Sequence, residues 1–207
     1  MPRFKLLPVF PRSYRMMLAF SAFIMMLSTA LGYQAWAVDP ALAKTAIDQI
    51  INTKFTTIVE QMLNAGWWEQ VIIIFVNNLK ASALIMISGI FLPIFPLLMG
   101  IMPNGFMIGL MAGFFEVERL LSKSAFFLSL LPHGFFEMPA ILLTATVGTI
   151  WGGRNWRSIF TGESVRKFGV HAKTSLTYLP LIILLLLIAA LVEVLVTPHI
   201  YTLPRFA

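Results

Sequence analysis

The chain contains no cysteine. That excludes disulfides, thiolate nucleophiles and any metal site built on sulfur. Three histidines are too few for a multi-histidine metal centre. Charge is scarce as well: 12% of the 207 residues are Asp, Glu, Lys or Arg against 58% hydrophobic, and mean hydropathy is +0.84. A soluble domain of this length has no use for so much apolar surface. What the chain does have is a series of apolar runs long enough to cross a bilayer. They give the expected fold class: an all-α, polytopic transmembrane helical bundle of about five spans. In a soluble protein the net charge of +6 would point to nucleic acid. Here Lys and Arg cluster beside membrane segments, so no nucleic-acid partner is expected and the lipid bilayer is the surrounding phase.

Residues 1–15 carry Arg3, Lys5, Arg12 and Arg15 with no acid, broken by Pro2, Pro8 and Pro11. They read as an irregular basic arm on the cytoplasmic side. Residues 16–36 form the first apolar segment. Ala35-Trp36-Ala37 resembles a signal-peptidase site, but the run exceeds the ~7–15 residues of a signal core, which favours an uncleaved anchor and leaves cleavage open. Residues 37–69 form an extracytoplasmic amphipathic segment, capped at Asp39-Pro40, with Ile47, Ile51, Phe55, Ile58 and Met62 at helical spacing. It lies on the outer surface, on a partner, or against the other helices. Residues 70–200 form the main membrane domain, with spans expected at 71–92, 97–115, 125–151 and 179–197. After the fourth of the five spans, Arg154, Arg157, Arg166, Lys167 and Lys173 oppose only Glu163. The positive-inside rule puts that loop and the amino terminus in the cytoplasm and the carboxyl terminus outside, in a multi-pass plasma-membrane protein. Such a loop attracts anionic headgroups.

The most unusual stretch is Leu130-Leu131-Pro132-His133-Gly134-Phe135-Phe136-Glu137-Met138-Pro139, inside the fourth span. Ionisable groups at membrane depth are costly and face protein or a water-filled cavity. Four residues apart on a helix, His133 and Glu137 share a face. Pro132, Gly134 and Pro139 predict a broken helix here, and Pro103 with Gly105 predicts the same in the third span. The echo between Pro103-Asn104-Gly105-Phe106 and Pro132-His133-Gly134-Phe135 fits either an inverted repeat or two separate proline kinks, each with a glycine for close packing. Glu193 interrupts the fifth span. One cluster is therefore expected, of His133, Glu137 and Glu193 with Asn77, Asn78 and Asn104 as polar neighbours. Three readings stay open: a buried polar network that fixes helix packing, a proton or ion pathway, and a divalent metal held by His133, Glu137 and Glu193. No cofactor is required and no catalytic residue stands out; the His-Glu-x-x-His of a metalloprotease is absent. His171 and His199 read as solvated.

Leu131-Pro132-His133-Gly134-Phe135-Phe136-Glu137-Met138-Pro139-Ala140 resembles the stage II sporulation protein M family of integral membrane proteins. The resemblance extends to Asn77-Asn78, to Asn104-Gly105 with Gly109, and to Ile188-Ala189-Ala190-Leu191-Val192-Glu193 ending at Thr197-Pro198, thus over roughly residues 70 to 200. It implies a multi-spanning protein that serves as membrane anchor or scaffold for peptidoglycan-cleaving partners, with no established catalysis of its own. Relatives in archaea and in bacteria that do not sporulate mean that the family name does not fix the process. The resemblance therefore leads to a scaffold for envelope-remodelling partners, peptidoglycan hydrolases among them; a homo-oligomer is compatible with it. The alternatives are a small transporter or ion pathway, and an intramembrane metal-dependent hydrolase.

Overall fold

Proline, glycine and short polar caps decide where the apolar runs become helices. The computed structural model describes residues 10–164 and 166–200, and every regular element among them is helical. Helix α1 (Arg12–Val38) starts directly after Pro11. The Asp39 carboxylate accepts the Leu42 N–H at 3.0 Å and caps α2 (Pro40–Ile50), with Pro40 at the first position, where its missing N–H costs nothing. A π-helical turn over Ile51–Phe55 leads into α3 (Thr56–Leu63). Helix α4 (Trp67–Phe91) opens with Glu69 accepting the Gly66 N–H at 2.8 Å. The third crossing begins π-helical over Pro96–Ile101 and continues as α5 (Met102–Val117). Arg119, in the left-handed region at φ 57°, turns the chain, and Ser122 caps the 38-residue α6 (Lys123–Phe160). Then follow α7 (Arg166–Leu176), α8 (Leu179–Leu195) and the short α9 (Thr197–Ile200).

Among the described residues, five helical stretches are long and apolar enough to cross a membrane: Arg12–Val38, Trp67–Phe91, Pro96–Val117, Lys123–Phe160 and Arg166–His199. The expected all-α, five-span class holds. Two details differ. Residues 12–15 are the first turn of α1 rather than irregular arm, while residues 1–9 lie outside the described residues. More important, the break expected in the fourth span is absent. Helix α6 runs uninterrupted through Pro132, Gly134 and Pro139. Each proline removes a single donor, and membrane helices tolerate that because neighbouring groups re-satisfy the freed carbonyls. Pro103 likewise sits in the first turn of α5 and breaks nothing. The irregular backbone of the third span is the π-helical stretch before it.

Lipid tails are as apolar as leucine, so close backbone packing rather than hydrophobic burial must hold such helices together. Glycine supplies it. A Cβ on Gly109 of α5 would lie 1.9 Å from the Thr29 carbonyl oxygen of α1, and Gly105 comes close to the Met25 carbonyl in the same way. On the other side of the bundle, a Cβ on Gly152 of α6 would lie 1.8 Å from the Gly89 oxygen of α4. Between these pairs, Met86, Leu143, Val147, Ile182 and Leu186 join α4, α6 and α8 in one core. The first half of the amphipathic segment folds back on the bundle: Ala43 and Ile47 pack against Trp36 and Leu110. Trp36 Nε1 donates to the Leu110 carbonyl at 2.8 Å, and Lys44 pairs with Glu118 at 3.6 Å.

Candidate functional site

The continuous path of α6 keeps His133 and Glu137 on one face, one turn apart, beside the end of α8. Both are half-buried. His133 Nδ1 lies 3.3 Å from Thr197 Oγ1, at the junction of α8 and α9. The Thr197 hydroxyl donates to the Val192 carbonyl at 3.4 Å. With that proton committed, His133 presents Nδ1–H to the hydroxyl oxygen. Glu193, half-buried on α8, is near enough for its charge to act on the Glu137 carboxyl. Among the described residues neither carboxylate has a hydrogen bond or an ion pair. Two carboxyl groups thus lie in one region of the bundle with no cation paired to either among the described residues, an arrangement suited to accepting a proton.

The other members of the expected cluster lie elsewhere. Asn77 is exposed on α4. Asn78 is half-buried on the inward stripe of Val71, Ile74, Ser82 and Ile85, and makes no side-chain hydrogen bond among the described residues. Asn104 donates to the Gly100 carbonyl of its own helix at 2.7 Å, so the widened π-helical turn uses its amide locally. Among the described residues, no three of His, Asp and Glu group closely enough to hold a metal ion. Among the described residues the His133 imidazole turns to Thr197 and does not group with Glu137 and Glu193.

The opposite face of the same two turns of α6 opens a cleft that the sequence reading did not anticipate. It measures about 610 Å³, lies between α1, α5 and α6, and is lined by Met25, Thr29, Ile108, Leu131, Phe135 and Met138. Gly134 sits in its wall, and a Cβ there would meet nothing within 4 Å. A smaller hollow of about 230 Å³ on the far side of Ile108 and Leu130 includes His133. The signal was present in the recurrence of Phe127, Leu131 and Phe135 every four residues, all exposed on a helix that elsewhere packs inward.

At the other end of the bundle, Ser158 of α6 is buried and donates to Glu163 Oε2 at 2.7 Å, while His171 Nε2 of α7 approaches the same hydroxyl at 3.1 Å. His171 is therefore engaged rather than solvated. A serine beside a histidine invites a catalytic reading, but the hydroxyl proton goes to Glu163, so the ring must donate to Ser158 and cannot act as its base. Lys167 and Ser158, bonding to the Glu163 carboxyl, hold it below the usual carboxylate range. Next to this knot, Tyr14 stacks on Tyr178 at 4.7 Å and accepts from Arg154 at 3.3 Å, which ties the start of α1 to α6 and α8.

A sequence model of the stage II sporulation protein M family matches residues 21–198, and the chain belongs to that family as a multi-pass integral membrane protein. The match begins well before the residues that carry the resemblance, taking in most of α1 and the amphipathic segment. No curated protein and no solved structure matches the chain.

Proposed function

We propose that this member of the stage II sporulation protein M family is a non-enzymatic scaffold that docks a membrane helix of an envelope-acting partner, such as a peptidoglycan hydrolase, in the cleft at Gly134. The observation that carries this reading is that of the two open glycines on α6, Gly134 and Gly153, it is Gly134 that lines an apolar cleft. Gly109 and Gly152 are pressed against a neighbouring backbone, whereas Gly134 faces open space beside an apolar cleft. A glycine on a helix surface lets a second backbone approach closely, and such contacts drive association in lipid. The lining methionines, Met25 and Met138, adapt to an incoming surface. In this reading residues 1–15 and the basic loop lie in the cytoplasm and the carboxyl terminus outside.

A photoreactive residue in place of Phe135, which is 70% exposed in the cleft wall, tests it in cells. Crosslinks to a wall hydrolase, lost on Gly134→Leu while the protein still accumulates in the membrane, are expected. Crosslinks to lipid alone, or to a second copy of this chain alone, would sink the proposal.

Glu137 and Glu193, which have no partner among the described residues, support a second reading, a proton or ion pathway. Glu137→Gln separates the two. A scaffold keeps its partner and its folding after that change, whereas a pathway loses flux in proteoliposomes while partner capture is unchanged.

A further inference from the structure

Helix α7 has one face held by the bundle and one face exposed, with no partner for it among the described residues. Its inward stripe is fixed by His171 at Ser158 and by Ser175, which is fully buried. That leaves Arg166, Val170 and Lys173 on the opposite face, at a spacing of four and then three residues, with Leu176 continuing the stripe. All four are exposed. The exposed face therefore alternates cation and apolar side chain. Beside it, at the end of α6, Ile159 is 55% and Phe160 78% exposed, next to the exposed Arg157. The contacts of Tyr14 with Arg154 and Tyr178 bring the exposed Arg12 and Arg15 to the same end of the bundle.

Carboxylates do not neutralise this collar. Among the described residues, Glu163 takes Lys167 as its ion pair and also exerts its field on Arg157. Arg12, Arg15, Arg166 and Lys173 have no ion pair among the described residues. A solvated loop has no reason to hold large apolar side chains outward between its cations. A nucleic-acid backbone would use the cations alone and leave these apolar side chains unburied.

We propose that the exposed face of α7, with the end of α6 and the start of α1, is a docking surface for anionic phospholipid headgroups. Phe160, Val170 and Leu176 enter the acyl boundary, and Arg157, Arg166 and Lys173 contact the phosphates. Charge complementarity selects an anionic surface, and the interleaved apolar residues select a bilayer over free phosphate. Because the inward stripe ties α7 to α6, and Tyr14 ties α1 to α8, lipid bound here clamps the ends of four helices at once. This is independent of the cleft and of any partner in it.

The test uses the full chain, purified and stripped of lipid in a neutral detergent, and reads thermal stability and native mass spectra. Phosphatidylglycerol should bind and raise the melting temperature, and phosphatidylcholine should do neither. Replacing Arg157, Arg166 and Lys173 together by Gln should weaken phosphatidylglycerol binding by roughly 100-fold, with the melting temperature in phosphatidylcholine unchanged. The same number of changes at Lys44, Lys80 and Lys123 should leave binding intact, which separates a local surface from net charge. Val170→Ser together with Phe160→Ser keeps every cation and should also weaken binding, so the outcome does not hang on one variant. Equal stabilisation by phosphatidylcholine overturns the proposal. So does full stabilisation by inorganic phosphate alone, or displacement of the lipid by a short oligonucleotide.

Discussion

Gly109→Ala adds one methyl group where α1 and α5 touch. The new Cβ would lie 1.9 Å from the Thr29 carbonyl oxygen and 2.7 Å from the Tyr33 nitrogen. Ordinary contact begins at 3.4 Å, a shortfall of about 1.5 Å against the carbonyl. Both obstacles are backbone, so no rotamer change relieves them, and the helices must separate. A gap of ~0.5–1 Å already forfeits a quarter to a half of each dispersion contact along the seam. Overpacking costs typically about 1–3 kcal/mol, and with backbone on both sides the upper end, about 3 kcal/mol, is expected. Gly134→Ala is the matched control, because its Cβ meets nothing within 4 Å. Exchanging glycine for alanine in an open helical position should cost nothing and gain up to about 1 kcal/mol. Reversible unfolding in mixed micelles measures both. If Gly109→Ala unfolds within about 0.5 kcal/mol of the parent, or if the two alanines cost the same, glycine contacts do not hold this bundle.

Gly152→Ala should destabilise the α4–α6 seam at least as strongly, since its Cβ would come within 1.8 Å of the Gly89 oxygen; the same unfolding assay checks it. Trp36→Phe removes the indole donor to the Leu110 carbonyl, which keeps its helical partner within α5, so the loss is that of one hydrogen bond, about 0.5–1.5 kcal/mol, and unfolding in micelles should show it. The Glu163 carboxyl is held down when folded, so its stabilising effect is present above the ordinary carboxylate range, near pH 4.3, and is lost as pH falls through the depressed folded value. Hydrogen exchange in α7 should therefore rise on acidification in the parent and show little pH dependence in Glu163→Gln; equal acid sensitivity in both would refute the assignment.

The spans were legible because each is a run that only a bilayer can accommodate, and α2 was legible because Asp39-Pro40 is a cap that works locally. Three things were not. The unbroken α6 depends on neighbours that compensate Pro132 and Pro139, and no local rule reports them. The tight seam with α1 was written in Gly105, Gly109 and Gly113, four residues apart on α5, but Pro103 drew the reading toward a kink. The partner of His133 depends on where α8 ends relative to α6. Nothing in the spacing of residues 133 and 197 reveals that Thr197, rather than Glu193, reaches the ring. Helix content is written in local periodicity, whereas polar pairing across helices is written in register, which one chain alone does not display.

That register divides the stretch from Leu130 to Pro139 into two faces with different prospects. Leu131, Gly134, Phe135 and Met138 look into the apolar cleft, while His133 and Glu137 look toward the end of α8. Apolar walls without a packed neighbour gain contacts when a helix seats on them, and this needs no ionisable group. A pair of carboxylates without a cation gains from a proton or ion, and this needs no neighbouring helix. The scaffold and pathway readings therefore share a helix but not a face. Gly134→Leu fills the cleft and leaves both carboxylates in place, while Glu137→Gln removes a charge and leaves the cleft open. A protein that loses partner capture with the first and keeps it with the second is a scaffold; the reverse pattern of defects, in flux alone, belongs to a pathway.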